Sequence, residues 1–170
     1  MEGYKFLEVS FKKDICPGFV YNILLTLVKL EIPDDAMIVY PVDKKYLNKD
    51  SGIEFNDSFC YEEFKKSDYV KSLKCRCNKA KIVEVIDYFL INYHDYGNML
   101  QKVTDNFHGI NPKDLVFMST FDSEFIYPFN EYVKPNALDV NILRECGKGI
   151  HFLQNTIRCE IIYATTRLCI

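Results

Sequence analysis

Leu25-Thr26-Leu27-Val28-Lys29-Leu30-Glu31-Ile32 is the stretch on which the fold turns. Apolar content alone would allow a helix over residues 19–32. Val20, Tyr21, Ile23, Thr26, Val28 and Ile32, however, carry branched or aromatic side chains that suit a pleated surface, and the octapeptide alternates apolar and polar residues as a half-buried strand does. Pro33, which cannot donate to a ladder, ends it. On the N-terminal side, residues 4–11 are aromatic and β-branched and read as a first strand closed by Cys16-Pro17-Gly18. On the C-terminal side, Asp34-Asp35 reads as a turn and residues 36–40 as a short strand before Pro41.

Residues 43–58 are polar and read as a surface loop, and residues 61–70 as a short helix. Residues 80–85 read as a strand, although Ile82, Val85, Ile86, Phe89, Leu90 and Tyr93 also fall at helical spacing. Gly97, Gly109 and Pro112 punctuate a loop-rich stretch, and residues 115–118, 125–127, 150–153 and 161–163 supply further short strands. The expected fold class is α+β: a compact, β-rich single globular domain spanning 1–170, with short helices, long surface insertions and no internal repeat.

At 170 residues the chain can bury a core without metal or disulfide staples, and 48% hydrophobic content with 12 Tyr and 13 Phe excludes a disordered protein. The longest apolar run, residues 19–28, is interrupted by Asn22 and falls short of the roughly 20 residues of a membrane span. The start, Met1-Glu2-Gly3-Tyr4-Lys5, lacks the basic-then-apolar layout of a secretory signal, so a cytoplasmic location is expected. The seven cysteines are then expected to be reduced thiols. Cys75-x-Cys77 is too tight for the usual zinc knuckle and has no complementary pair nearby, so no metal site is assigned.

A net charge of -3 argues against nucleic-acid binding over the whole surface. The charge is nonetheless uneven: Lys65, Lys66, Lys71, Lys74, Arg76, Lys79 and Lys81 face only Asp68 in the 65–81 segment. Between 114 and 145 the sign reverses, with Asp114, Asp122, Glu124, Glu131, Asp139 and Glu145 against Lys134 and Arg144. The planar fork of Arg76 suits a phosphate or carboxylate, and Tyr61, Phe64 and Tyr69 add the aromatics that single-stranded nucleic acids favour. The competing reading packs the aromatics inward and solvates the lysines. Asp34-Asp35 and Asp122 with Glu124 read as turn formers rather than as acid-base pairs.

The densest chemistry lies in Glu145-Cys146-Gly147-Lys148-Gly149-Ile150-His151-Phe152. Gly147 and Gly149 mark a sharp turn or a close approach, and the next three residues a strand carrying His151 on the opposite face from its neighbours. His151 has two readings, a base or ligand and a strand histidine bonded to backbone. A Cys146–His151 nucleophile would need the glycine turn, because five extended residues separate the two by roughly 15 Å. Cys75 and Cys146 are expected as small buried residues, and the blocks around 75–76 and 146–152 are expected to lie together, with residues 80–85 pairing the second block and Arg76 near Glu145.

Three ordered blocks carry a resemblance: Lys29-Leu30-Glu31-Ile32-Pro33-Asp34-Asp35-Ala36; then residues 74–85; then Ser119-Thr120-Phe121-Asp122, Phe125-Ile126-Tyr127, Pro135 and residues 145–152. Together they resemble the domain of unknown function that often follows pentapeptide repeats in proteins of tailed phages, prophages and large DNA viruses of eukaryotes. The chain departs from that pattern in lacking the repeats, in insertions at 43–73 and 87–114, and in Pro128-Phe129-Asn130 where a glycine is expected after the tyrosine. The resemblance implies a viral or prophage accessory protein in the host cytosol or virion, working without catalysis or cofactor by contact with a protein partner or by self-association. The binding residues expected are Lys74, Arg76, Lys79, Gly147, Gly149 and His151. A shorter likeness, Gly147-Lys148-Gly149-Ile150-His151-Phe152, is similar to a strand of the poly(ADP-ribose) polymerase class, with His151 in place of its tyrosine. It implies the alternative of an NAD-using transferase with His151, Cys146 and Glu160 as its catalytic set. A weak nucleic-acid-binding module through 65–81 is the remaining alternative.

Overall fold

The computed structural model describes residues 1–12, 22–42, 65, 74–92, 100–144 and 146–156. They contain the strands β1 (Glu2–Phe11), β2 (Asn22–Glu31), β3 (Ile38–Val39), β4 (Cys75–Cys77), β5 (Ala80–Asn92), β6 (Leu100–Lys102), β7 (Leu115–Ser119), β8 (Tyr132–Val133) and β9 (Ile150–Phe152). One antiparallel sheet runs β6-β5-β2-β1-β7, with β8 also on β5; a smaller one runs β3-β4-β9. The two are stitched by an isolated bridge in which the amides of Tyr4 and Leu153 donate to each other's carbonyls at 2.7 and 2.9 Å.

The β-rich expectation is what the structure shows. Its helical part reduces, among the described residues, to the 3-10 turns Thr104–Phe107 and Pro112–Asp114 and to helical backbone at Lys65 and Thr156. The expected loop at 43–58, the strand at 161–163 and, apart from Lys65, the helix at 61–70 lie outside the described residues.

The 25–32 octapeptide buries both faces of β2 in turn. Leu25 and Leu27 point into one cluster with Phe6, Phe89 and Leu153, whereas Val28, Leu30 and Ile32 point to the opposite face and a larger cluster with Leu7, Val9, Ile82, Phe117, Ile150 and Phe152. From Leu25 to Val28 both faces are buried, Thr26 included, and Lys29 then lies between Glu2 at 2.9 Å and Glu84 at 3.8 Å. Each leucine fully buried this way contributes roughly 1.5–3 kcal/mol relative to exposure.

β5 is a strand, and its helix-like spacing has a structural cause. Its register against β2 shifts between Leu27 and Val28 and again between Lys29 and Leu30, so that Ile86 and Val83 are extra residues without a Cα partner. Each bulge turns a step of two into a step of three, which carries Ala80, Ile82, Val85, Tyr88 and Leu90 along one face. The strand expected to cover 150–152 was 80–85. The partner is instead β4, with Cys75 opposite Phe152, Arg76 opposite His151 and Cys77 opposite Ile150. Residues 80–85 are already taken by β2 and β8. Residues 125–127 form an isolated bridge, Met118 with Ile126, rather than a strand.

Candidate functional site

β9 begins just after Gly149, whose φ of +140° lies where a side chain is strained. A Cβ there would come within 2.8 Å of Leu138 Cδ1 and 3.2 Å of Arg76 Cβ. From that glycine the strand sends Ile150 and Phe152 into the core and His151 to the other side. His151 Nε2 lies 2.7 Å from the Gly147 carbonyl, which can only accept, so the ring carries its proton on Nε2. Burial above all, and then the nearby cations Lys74, Lys5 and Arg76, bring its pKa from the ordinary 6.5 down to about 3. At neutral pH it is an uncharged imidazole committed to the turn.

Arg76, fully buried on β4, closes the preceding loop from inside. Its Nε donates to the Asp139 carbonyl at 2.6 Å, Nη1 to that of Arg144 at 2.6 Å and Nη2 to that of Asn141 at 2.7 Å. Asp139 completes the loop by accepting from the Asn141 amide at 2.9 Å and from Arg144 Nη1 at 2.7 Å, contacts that hold its carboxyl below the usual range. Gly147 packs against it so closely that a Cβ would meet Asp139 Cβ at 2.7 Å.

Beside this loop, the turn and strand of residues 146–151 form one wall of a cavity of about 490 Å³. Lys5 of β1 and Lys74 before β4 line it, as do Ser119 at the end of β7, Phe121, Phe125 and Tyr127 beyond it, residues 135–137, and residues 146–151. Lys5 occurs in the register of Gly3, Leu7 and Val9 and is only 6% exposed. Phe121 is 82% exposed at the rim, on a turn where Ser119 Oγ accepts from the amides of Phe121 and Asp122. Asp122 in turn accepts from the Glu124 amide at 3.0 Å, the turn-forming role expected of it. Burial pushes the Tyr127 phenol upward.

The structure thus brings Lys74, Gly147, Gly149, His151 and Cys146 to one cavity and disperses the rest of the expected set. Arg76 is turned inward onto backbone carbonyls, so its fork does not present itself to a phosphate from solvent. Lys79 pairs with Asp35 at 2.8 Å and lies 5.1 Å from the centre of the Tyr132 ring; Lys81 sits 4.7 Å from the same ring and 3.4 Å from Glu31. Tyr132 also donates its hydroxyl to Glu31. Cys75 and Cys77 are buried, and burial raises their thiols to about 12 and about 11, the behaviour of small core residues. Cys146 corrects the expectation of a further buried thiol: it is exposed at the turn, with Lys74 Nζ 3.7 Å from its sulfur. Glu160, Glu145, Lys66, Lys71, Tyr61, Phe64 and Tyr69 lie outside the described residues.

Lys5, Phe121 and Tyr127 were missing from the expected site. Lys5 had a signal, a lone cation on the otherwise apolar face of β1 that also carries Gly3, Leu7, Val9 and Phe11; Phe121 had none, because exposure at a turn is not written in its neighbours. With this geometry in place, the chain is found to match, over residues 2–159, a family of unknown function (DUF5758), and it belongs to that family. No curated protein and no solved structure matches it.

Proposed function

We propose that this member of a family of unknown function is a non-catalytic binding module that seats a segment of a protein partner in the cavity between β1, the turn after β7 and the 146–151 loop. The single observation that carries the reading is Phe121, an aromatic left 82% exposed at the rim of a preformed cavity. Buried aromatics are the favoured anchors of protein interfaces, and an exposed one beside a rigid concavity is a ready anchor. The cavity's imidazole supports recognition over reaction, since His151 is neutral, strand-bound and spent on Gly147. The resemblance of the three blocks supplies the setting, an accessory protein of a virus or prophage acting on a virion component or a host factor.

Affinity capture from the native host, with the wild-type chain and Phe121→Ala side by side, tests the proposal. A stoichiometric partner held by the wild type and lost by the folded variant is expected. Equal capture by both, or release of nicotinamide from NAD by the purified chain, would overturn it.

A further inference from the structure

We infer that the partner seated here is a second copy of this chain, the two related by a two-fold axis that runs between the cavity's walls; the inference rests on the binding role proposed above and specifies its partner. One face of the molecule carries both halves of such a contact side by side. The concave half is the cavity, with Phe121 and Phe125 on the side that follows β7. The convex half is Val140, 63% exposed on the loop that Arg76 holds from inside through the carbonyls of 139, 141 and 144. That loop adjoins the 146–151 wall, because the Asp139 amide donates to the Lys148 carbonyl at 2.9 Å. Val140 also follows Ala137 of the lining by three residues, a chain length that keeps it within roughly 11 Å of the cavity.

A closed pair of identical chains needs a patch that complements itself, so that what one side of the patch offers is met by the other side of the same patch. An axis between the walls sets the β7 side of each copy against the 146–151 side of the other, and Phe121 then meets Val140 twice. The charges follow the same division. Asp122 and Glu124 are exposed on the β7 side, and Lys148 is exposed on the 146–151 side. Among the described residues neither Glu124 nor Lys148 enters an ion pair within the chain. The two-fold brings each to its opposite sign, again twice. A foreign partner accounts for the cavity and its exposed aromatic, but not for a protrusion and a charge pattern that complement that same surface. Because Val140 stands on a loop fixed by hydrogen bonds, it enters a contact with little ordering left to lose.

The test is sedimentation equilibrium of the purified full chain over a range of concentrations, with Phe121→Ala, Val140→Asp, Lys148→Glu and the charge exchange Glu124→Lys with Lys148→Glu run beside the wild type. A reversible wild-type dimer is expected. Phe121→Ala and Val140→Asp, both at exposed positions, are each expected to weaken it about tenfold or more, since each loss is counted twice in a two-fold pair. Lys148→Glu alone is expected to weaken it by about five- to tenfold, and the charge exchange to restore most of that loss, a recovery that damage to the fold would not give. A wild type that stays monomeric, a dimer indifferent to any of the three single substitutions, or a charge exchange that fails to rescue would each overturn the inference. If the chain is monomeric while capture of a host protein still depends on Phe121, the second copy falls and the binding role stands. Dimerisation and capture that are both indifferent to Phe121→Ala remove both.

Discussion

Arg76 is the largest fully buried side chain among the described residues, and its burial is sustained because three carbonyls take its donors. Lysine at this position retains the charge but not the fork. Arg76→Lys is therefore expected to destabilise the fold by about 2 kcal/mol or more in urea denaturation, leaving carbonyls of the 139–144 loop unpaired. Gly149 and Cys146 sit three residues apart and are expected to behave in opposite ways. Gly149→Val forces a branched side chain to a φ of +140° and onto Leu138 and should cost roughly 2 kcal/mol or more, whereas Cys146→Ala at an exposed turn should stay within about 0.5 kcal/mol. Thermal melts of the two variants decide the order. His151 adds a pH dependence whose sign is fixed by its lowered pKa. Between pH 6.5 and about 3 the unfolded chain binds a proton that the folded one refuses, so its contribution is complete above pH 6.5 and is lost as the pH falls toward 3. His151→Gln should flatten the decline of stability across that window, read as the difference between the two chains' urea midpoints; an identical decline would contradict the assignment.

At the scale of elements, the small sheet lies on the large one through a glycine. A Cβ on Gly3 would stand 2.5 Å from Phe152 Cδ2 and 3.1 Å from Ile32 Cδ1, so β1 admits the β9 ring only because position 3 has no side chain. Gly3→Ala is expected to destabilise by about 1–3 kcal/mol, and by clearly less in a Phe152→Leu background, a coupling that a double-mutant cycle measures. The alternation of 25–32 made β2 legible, and the Gly-flanked apolar residues 150 and 152 made β9 legible, because period and turn chemistry are local properties. The bulges of β5 were not, since they are defined by the register of another strand, and the same partner dependence hid the true neighbour of β9. The site was half legible for a similar reason. Glycines announce a tight turn, but the run of basic residues from 65 to 81 gave no sign that Arg76 points inward while Lys79 and Lys81 share Tyr132.

For the molecule as a whole, two antiparallel sheets are joined at Tyr4 and Leu153, and the cavity is lined by Lys5 of β1, the turn that displays Phe121 and residues 146–151, of which Gly147 packs on Asp139 of the loop held by Arg76. No described helix is long and apolar enough to cross a membrane. Lys5, Ser119, Ile150 and His151 are held by separately paired strands, so that part of the cavity's wall is preorganised and binding there requires less reordering. We propose that a protein partner docks in this cavity. Amide hydrogen exchange of the chain, free and in complex with the captured partner, tests it most directly. Slowed exchange at residues 119–122 and 147–151 is the predicted result; protection confined to the far face of the large sheet, with those residues unchanged, would contradict it.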